Sequence, residues 1–145
     1  MFRHILLPTD GSPLSEGAVR KGIQFAKTIN ARVTGFCVIP KLSYFGYDSE
    51  IGPEFKIQAA AAIKAEMSKS LLAIEKAAKE AGVPCETAHE KSDQPYEAII
   101  EAAQRRDCDL IIMASHGRRG VEGLLLGSET QKVLTHSKIP VLVYR

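Results

Sequence analysis

Short apolar runs and helical apolar stripes take turns along this chain. Residues 5–7 form an apolar run closed by Pro8, which reads as a buried strand. Thr9-Asp10-Gly11 is a turn, and Ser12-Pro13 supplies an N-cap followed by proline at the first helical position. Helical spacing then joins Leu14, Ala18, Phe25, Ala26 and Ile29, with Asn30 as the stop. Residues 33–39 predict the second strand. Gly35 inside it marks either a close backbone approach or simply a weak strand position. Residues 40–55 form a long connection with breaks at Gly46, Gly52 and Pro53 and four aromatics, Tyr44, Phe45, Tyr47 and Phe55. Two readings stand for it, a lid over a ligand or a loop pinned by its own aromatics.

Residues 57–81 predict the longest helix, with Ala60, Met67, Leu71, Ile74, Ala78 and Ala81 on one stripe. Gly82 ends it, and Pro84 follows. Val83, Cys85 and Thr87 alternate with charged or small residues, as a half-buried strand does. Asp93 is placed to cap the next helix, whose buried face is Tyr96, Ile99, Ile100 and Ala103. Residues 110–113 are apolar throughout and predict a central strand. A last helix over 128–135 and a strand over 139–144, broken only by Pro140, complete the pattern. Five strands alternating with four helices predict an α/β fold, a parallel sheet covered on both faces. Ligands on such sheets bind beyond the strand carboxyl ends, where strand order reverses. If the first and fourth strands are neighbours there, Pro8-Thr9-Asp10 and Ala114-Ser115-His116-Gly117 meet at one crevice.

Composition narrows the function classes. A chain of 145 residues suits one domain, and 45% apolar with 25% charged residues is ordinary globular usage. A net charge of +2 gives no bulk-charge argument for nucleic acid or a membrane surface. Cys37, Cys85 and Cys108 are odd in number and far apart, so they read as reduced core thiols of a cytoplasmic protein. The opening M-F-R-H-I-L-L-P-T-D has too short an apolar run for a signal peptide, and no segment approaches the ~18 apolar residues of a membrane span.

The candidate chemistry lies in residues 113–130, where an apolar strand, a glycine-rich loop and a helix start follow one another. That arrangement gathers backbone N–H groups around a phosphate. Arg118 and Arg119 either clamp phosphates or are simply solvated. Ser128 and Gln131 also make an S-x-x-Q capping box, compatible with an anion site at the same helix start. His116 beside Ser115 reads as a structural or hydrogen-bonding histidine, since sequence neighbours make a poor nucleophile–base pair. His4, His89 and His136 have no metal-ligand spacing. Asp10 is a ligand-facing carboxylate or only a turn residue. Neither G-x-x-x-x-G-K-[ST] nor G-x-G-x-x-G occurs, and no base or arginine-finger pattern points to fast phosphoryl transfer.

Several segments together make the chain resemble the universal stress protein family over nearly its whole length. They are H-I-L-L-P-T-D-G-S, C-V-I, Q-P-Y-E-A-I-I, D-L-I-I-M-A-S-H-G, L-L-L-G-S and I-P-V-L-V-Y-R. ATP-binding members carry G-x2-G-x9-G-[ST]. Here the frame reads Ala114-Ser115-His116-Gly117, nine residues, Gly127-Ser128, with alanine in place of the first glycine. The resemblance implies one domain over residues 1–145, a doubly wound five-stranded parallel sheet of order 3-2-1-4-5, adenine nucleotide alpha hydrolase-like. It implies a small cytoplasmic stress-response protein that binds ATP, or AMP or ADP, with Mg²⁺ as a companion, and acts as a nucleotide-dependent dimeric switch with at most slow hydrolysis. Pro8, Thr9 and Asp10 would line the adenosine, and Val38 would meet the adenine. Met113 and Ala114 would flank the ribose and first phosphate. Gly117, Gly127, Ser128, Glu129 and Thr130 would supply backbone donors, with hydroxyls from Ser128 and Thr130. The last strand, Val141–Tyr144, would pair antiparallel with its copy in a homodimer. Alanine at 114 is tolerable with ordinary strand dihedrals and costly if φ must be positive. Glu129 would repel phosphates unless it points away or helps hold a cation. The alternatives are a member that has lost nucleotide binding and acts by dimerisation and protein contacts, and a slow ATPase using Asp10 for metal or base chemistry.

Overall fold

A computed structural model describes residues 1–41, 52–118 and 126–145. Nine elements follow in order: β1 (His4–Pro8), α1 (Pro13–Ile29), β2 (Arg32–Ile39), α2 (Pro53–Ala81), β3 (Cys85–Lys91), α3 (Pro95–Arg105), β4 (Leu110–Ala114), α4 (Ser128–His136) and β5 (Val141–Tyr144). The strands form one parallel sheet of order β3-β2-β1-β4-β5. The strand order expected from the resemblance holds, and β1 and β4 are neighbours, with Ile5 opposite Leu110. β1 is the middle strand, and the wholly apolar β4 is the next interior one.

Alternation along the strands divides the core in two. Ile5, Leu7, Val33, Cys37, Leu110 and Ile112 face α1 and α2, meeting Val19, Ile23, Leu71, Ile74 and Ala78. Leu6, Phe36, Ile111 and Met113 face α3 and α4, meeting Ile99, Ala103 and Val133. Each fully buried Leu, Ile or Phe contributes about 1.5–3 kcal/mol. Gly35 is a close-approach position: a Cβ there would lie 2.9 Å from Ile74 Cγ2, so α2 sits down on the bare backbone of β2.

Local signals set most boundaries. Ser12 Oγ accepts from Ser15 N–H at 3.3 Å ahead of Pro13, and Asn30 ends α1 in the left-handed region with φ 58°. Gly82 ends α2 the same way with φ 74°. Several expectations need correction. α2 begins at Pro53, with Gly52 as its N-cap, so Phe55 belongs to the helix and is exposed. Tyr44, Phe45 and Tyr47 lie outside the described residues. The buried face of α1 runs through Gly17, Ala18, Val19, Gly22, Ile23 and Ala26, and Leu14, Phe25 and Ile29 flank it half-buried. β3 is displaced to Cys85–Lys91, because Val83 enters the core just ahead of the ladder. Asp93 does not cap α3: Gln94 holds the N-cap position, and Asp93 Oδ1 accepts from Lys41 N–H at 3.1 Å. The S-x-x-Q capping box does not form either. Gly127 is the N-cap of α4, Ser128 is already helical, and Gln131 Nε2 donates to the Leu126 carbonyl at 3.3 Å. β5 starts only at Val141, after a turn braced by Ser137 Oγ donating to Ile139 C=O at 2.8 Å.

Candidate functional site

The carboxyl ends of β1 and β4 lead into two loops that touch. After β1, Thr9 N–H still donates to Phe36 C=O at 2.9 Å. The chain then turns at Gly11, whose φ of 78° suits glycine. Asp10 Oδ1 accepts from Ser12 N–H at 2.9 Å, the Asx turn that an Asp-Gly-Ser sequence favours. Thr9 Oγ1 is buried against Ser15 Oγ at 2.8 Å and accepts from Gly11 N–H at 3.1 Å. After β4, Ser115 N–H donates to Tyr144 C=O at 2.7 Å, and Ser115 C=O accepts from Gly127 N–H at 2.6 Å. Thr130 Oγ1 donates to Ala114 C=O at 2.9 Å, pinning the first turn of α4 to the end of β4.

The two loops meet where Arg118 N–H donates to Asp10 Oδ2 at 2.7 Å. Gly117 lies so close that a Cβ there would collide with the same oxygen. Burial alone would push the Asp10 carboxyl up. The Ser12 hydroxyl and N–H, the Arg118 N–H and the Ser15 hydroxyl outweigh it and hold the group below its usual value. The Arg118 side chain leans over Gly11 toward α2, with Nη2 3.9 Å from Glu66 Oε2, both side chains exposed. Arg119 lies outside the described residues.

The remaining candidates surround this contact. Pro8 is buried at the end of β1, and Val38 is half-buried on the α3 side of β2. Met113 and Ala114 are buried at the end of β4. Ala114 keeps an ordinary strand backbone, since the non-glycine residues with positive φ among the described ones are Asn30 and Asp107. A Cβ on Gly127 would lie 3.1 Å from His116 Cα, so glycine lets the two loop ends close. Glu129 turns away: its Oε2 accepts from Tyr96 N–H at 2.9 Å, and its Oε1 is 3.5 Å from Lys132 Nζ. It thereby serves the otherwise uncapped start of α3. His116 Nδ1 lies 3.2 Å from Ser115 Oγ, and Ser115 is buried, a hydrogen-bonding role for the pair. Burial, with the Asp10 charge adding to it, pushes the Cys37 thiol up to about 12, so it stays protonated and inert. Among the described residues no group of three or more His, Cys, Asp or Glu is placed to hold a metal ion. Sequence reading missed Ser12 and Ser15 beneath Asp10 and the use of Arg118 through its backbone. The Asp-Gly-Ser turn signature was the available signal for the first.

A reversal of strand order between β1 and β4, with two loops braced across it, defines a doubly wound α/β protein, and the switch point is where such sheets take ligands. The universal stress protein family profile matches residues 1–145, and the chain belongs to that family. Universal stress protein MJ0531 of Methanocaldococcus jannaschii is 32% identical over 145 residues, covering 100% of this chain and 83% of that protein. The solved structure of MJ0577 from the same organism superposes with a TM-score of 0.82 at 28% identity, covering 99% of this chain and 96% of that one. A universal stress protein solved in complex with cAMP gives a TM-score of 0.68 at 26% identity, covering 99% and 97%. No helix of the described residues is long and apolar enough to cross a membrane.

Proposed function

We propose that the crevice beyond β1 and β4 binds an adenine nucleotide, ATP or its AMP and ADP relatives, and that the protein is a cytoplasmic stress-response switch. One observation carries the reading: the glycine loop is drawn against Asp10 beside the start of α4. The first intrahelical bond of α4 runs from Gln131 N–H to Gly127 C=O at 3.0 Å. The amides of Ser128, Glu129 and Thr130 therefore have no partner within the helix and sit at its positive end. These amides and the exposed Ser128 hydroxyl are the phosphate donors. The Thr130 proton is already given to Ala114 C=O. Pro8, Thr9 and Asp10 line the adenosine, Val38 meets the base, and Met113, Ala114, Gly117 and Gly127 flank the ribose and phosphates. The cAMP complex of a 26% identical relative supports the ligand class.

Two concerns ease. Ala114 needs no positive φ, and the Glu129 carboxylate is held by Tyr96 and Lys132. Asp10, stabilised as an anion by two amides, is a weak base, which favours a binding module over an ATPase. Any Mg²⁺ arrives on the nucleotide phosphates. β5 is an outer strand with Leu142 41% exposed, and such an edge is ordinarily covered. We assign it to an antiparallel homodimer of single-domain chains through Val141–Tyr144.

Titration calorimetry on ligand-stripped protein tests the reading. Saturable heat with ATP, with or without Mg²⁺, is expected, and none up to millimolar ATP overturns it. Light scattering on the same sample should give about twice the 15.8 kDa of one chain.

A further inference from the structure

We propose that Asp10 is a positioning residue, a latch that holds Gly117 and Arg118 against the turn after β1 and so presets the backbone beside α4 on which phosphate rests. Its ligand depends on the nucleotide reading above, whereas the latch itself does not.

The geometry is specific. Both carboxylate oxygens are engaged, Oδ1 by Ser12 N–H at 2.9 Å and Oδ2 by Arg118 N–H at 2.7 Å. The second bond joins residues 108 positions apart and ties the two loops directly. Hydrogen bonds to an ionised carboxylate are about twice as strong as neutral ones. Gly117 is fitted to the latch, because any side chain there would strike Oδ2. The turn beneath is stiffened by Thr9 Oγ1 against Ser15 Oγ at 2.8 Å. The charged and titratable neighbours are Cys37 on β2, Arg118 itself and, through its guanidinium, Glu66 on α2. Glu66, the second carboxylate among them, lies by the Arg118 guanidinium, while the Arg118 amide goes to Asp10.

A latch and a base-reading residue make different predictions. A residue that reads adenosine affects only ligands containing adenosine. A latch affects every ligand that uses the phosphate loop, and by the same factor. Calorimetry with ADP and with inorganic pyrophosphate, on wild type, Asp10→Ala and Gly117→Ala, separates the two. The Gly117 variant keeps the carboxylate but displaces it, which a side-chain terminus can do without unfolding the chain. Both variants are expected to weaken both ligands equally, by about tenfold, the scale of one lost charge-assisted bond. Loss of ADP affinity with pyrophosphate binding intact overturns the latch, as does unchanged affinity for both. The Arg118 amide proton resonance gives a readout that needs no ligand. It should shift in Asp10→Asn and Gly117→Ala far more than amides elsewhere in the sheet. A resonance that stays put overturns the latch. Wild type that binds neither ligand removes the nucleotide reading and leaves this resonance to decide the latch.

Discussion

The two ends of the sheet share one kind of tie and differ in a second. At the carboxyl ends, a side-chain carboxylate grips backbone amides, Asp10 on Ser12 and Arg118. At the amino ends, the Asp109 carboxylate likewise accepts from the Arg3 and His4 amides, and a run of side chains across three strands is added to it. His4 Nε2 lies 2.7 Å from Thr34 Oγ1, Thr34 Oγ1 donates to Glu86 Oε1 at 3.0 Å, and Arg106 Nη1 donates to the same oxygen at 3.2 Å. The run crosses β1, β2 and β3 and closes on the end of α3. Thr34 has one proton, and it goes to the carboxylate, so its oxygen accepts from His4 Nε2–H. His4 Nδ1 is therefore bare, and it is buried without a hydrogen-bond partner among the described residues. A chain of side chains fixes register across the three strands. An end held through backbone leaves helix amides and glycine surfaces uncovered. The difference separates an end fixed by a side-chain run from the end where nucleotide binding is proposed.

The largest test removes the spacer between them. Phe36 is 1% exposed and lies two residues beyond Thr34 on the same face. Phe36→Ala should cost about 3–5 kcal/mol in chemical denaturation. A loss under 1 kcal/mol would mean that the core does not hold the ends apart. Thr34→Val cuts the amino-end chain at nearly constant shape and strands the buried His4 Nε2–H, while exposed Glu86 keeps Arg106. A loss of roughly 1–3 kcal/mol is expected, with ATP affinity unchanged. An affinity change beyond twofold would show that the ends are coupled.

The smallest effect is a pH slope. Burial, then Arg32, lowers the His4 pKa from 6.5, outweighing Glu86, the Arg106 backbone and Asp109. The folded protein thus favours neutral His4. Its stabilising contribution is complete above 6.5 and is lost as pH falls below it, until the lower folded value is passed. Glu86, lowered chiefly by the Thr34 hydroxyl, contributes above 4.5 and adds loss in the same direction at lower pH. His4→Gln should flatten the denaturation midpoint against pH just below 6.5. A slope equal to wild type would remove His4 from the account.

The fold was legible because its signals are local. The runs at residues 5–7 and 110–113, the Ser12-Pro13 start and the Asn30 and Gly82 stops all act within a few residues. The site was legible as a location, through the meeting of two strand ends, and less so as a set of contacts. Asp93 and Ser128 look like caps in their own neighbourhoods, yet the amide near the start of α3 is taken by Glu129, 33 residues away. His4 looked idle because its meaning lies across strands. Gly52-Pro53 carried a helix start that the aromatic-rich connection masked.

Ser115 gives its N–H to the last strand and its C=O to Gly127, and Thr130 bonds the residue just before it. The final helix is thus moored on the end of β4 by two short ties, from Gly127 and Thr130, and that end is itself tied to β5. Changes in length between Arg118 and Leu126 therefore leave the helix its berth, because neither tie runs through that stretch of sequence.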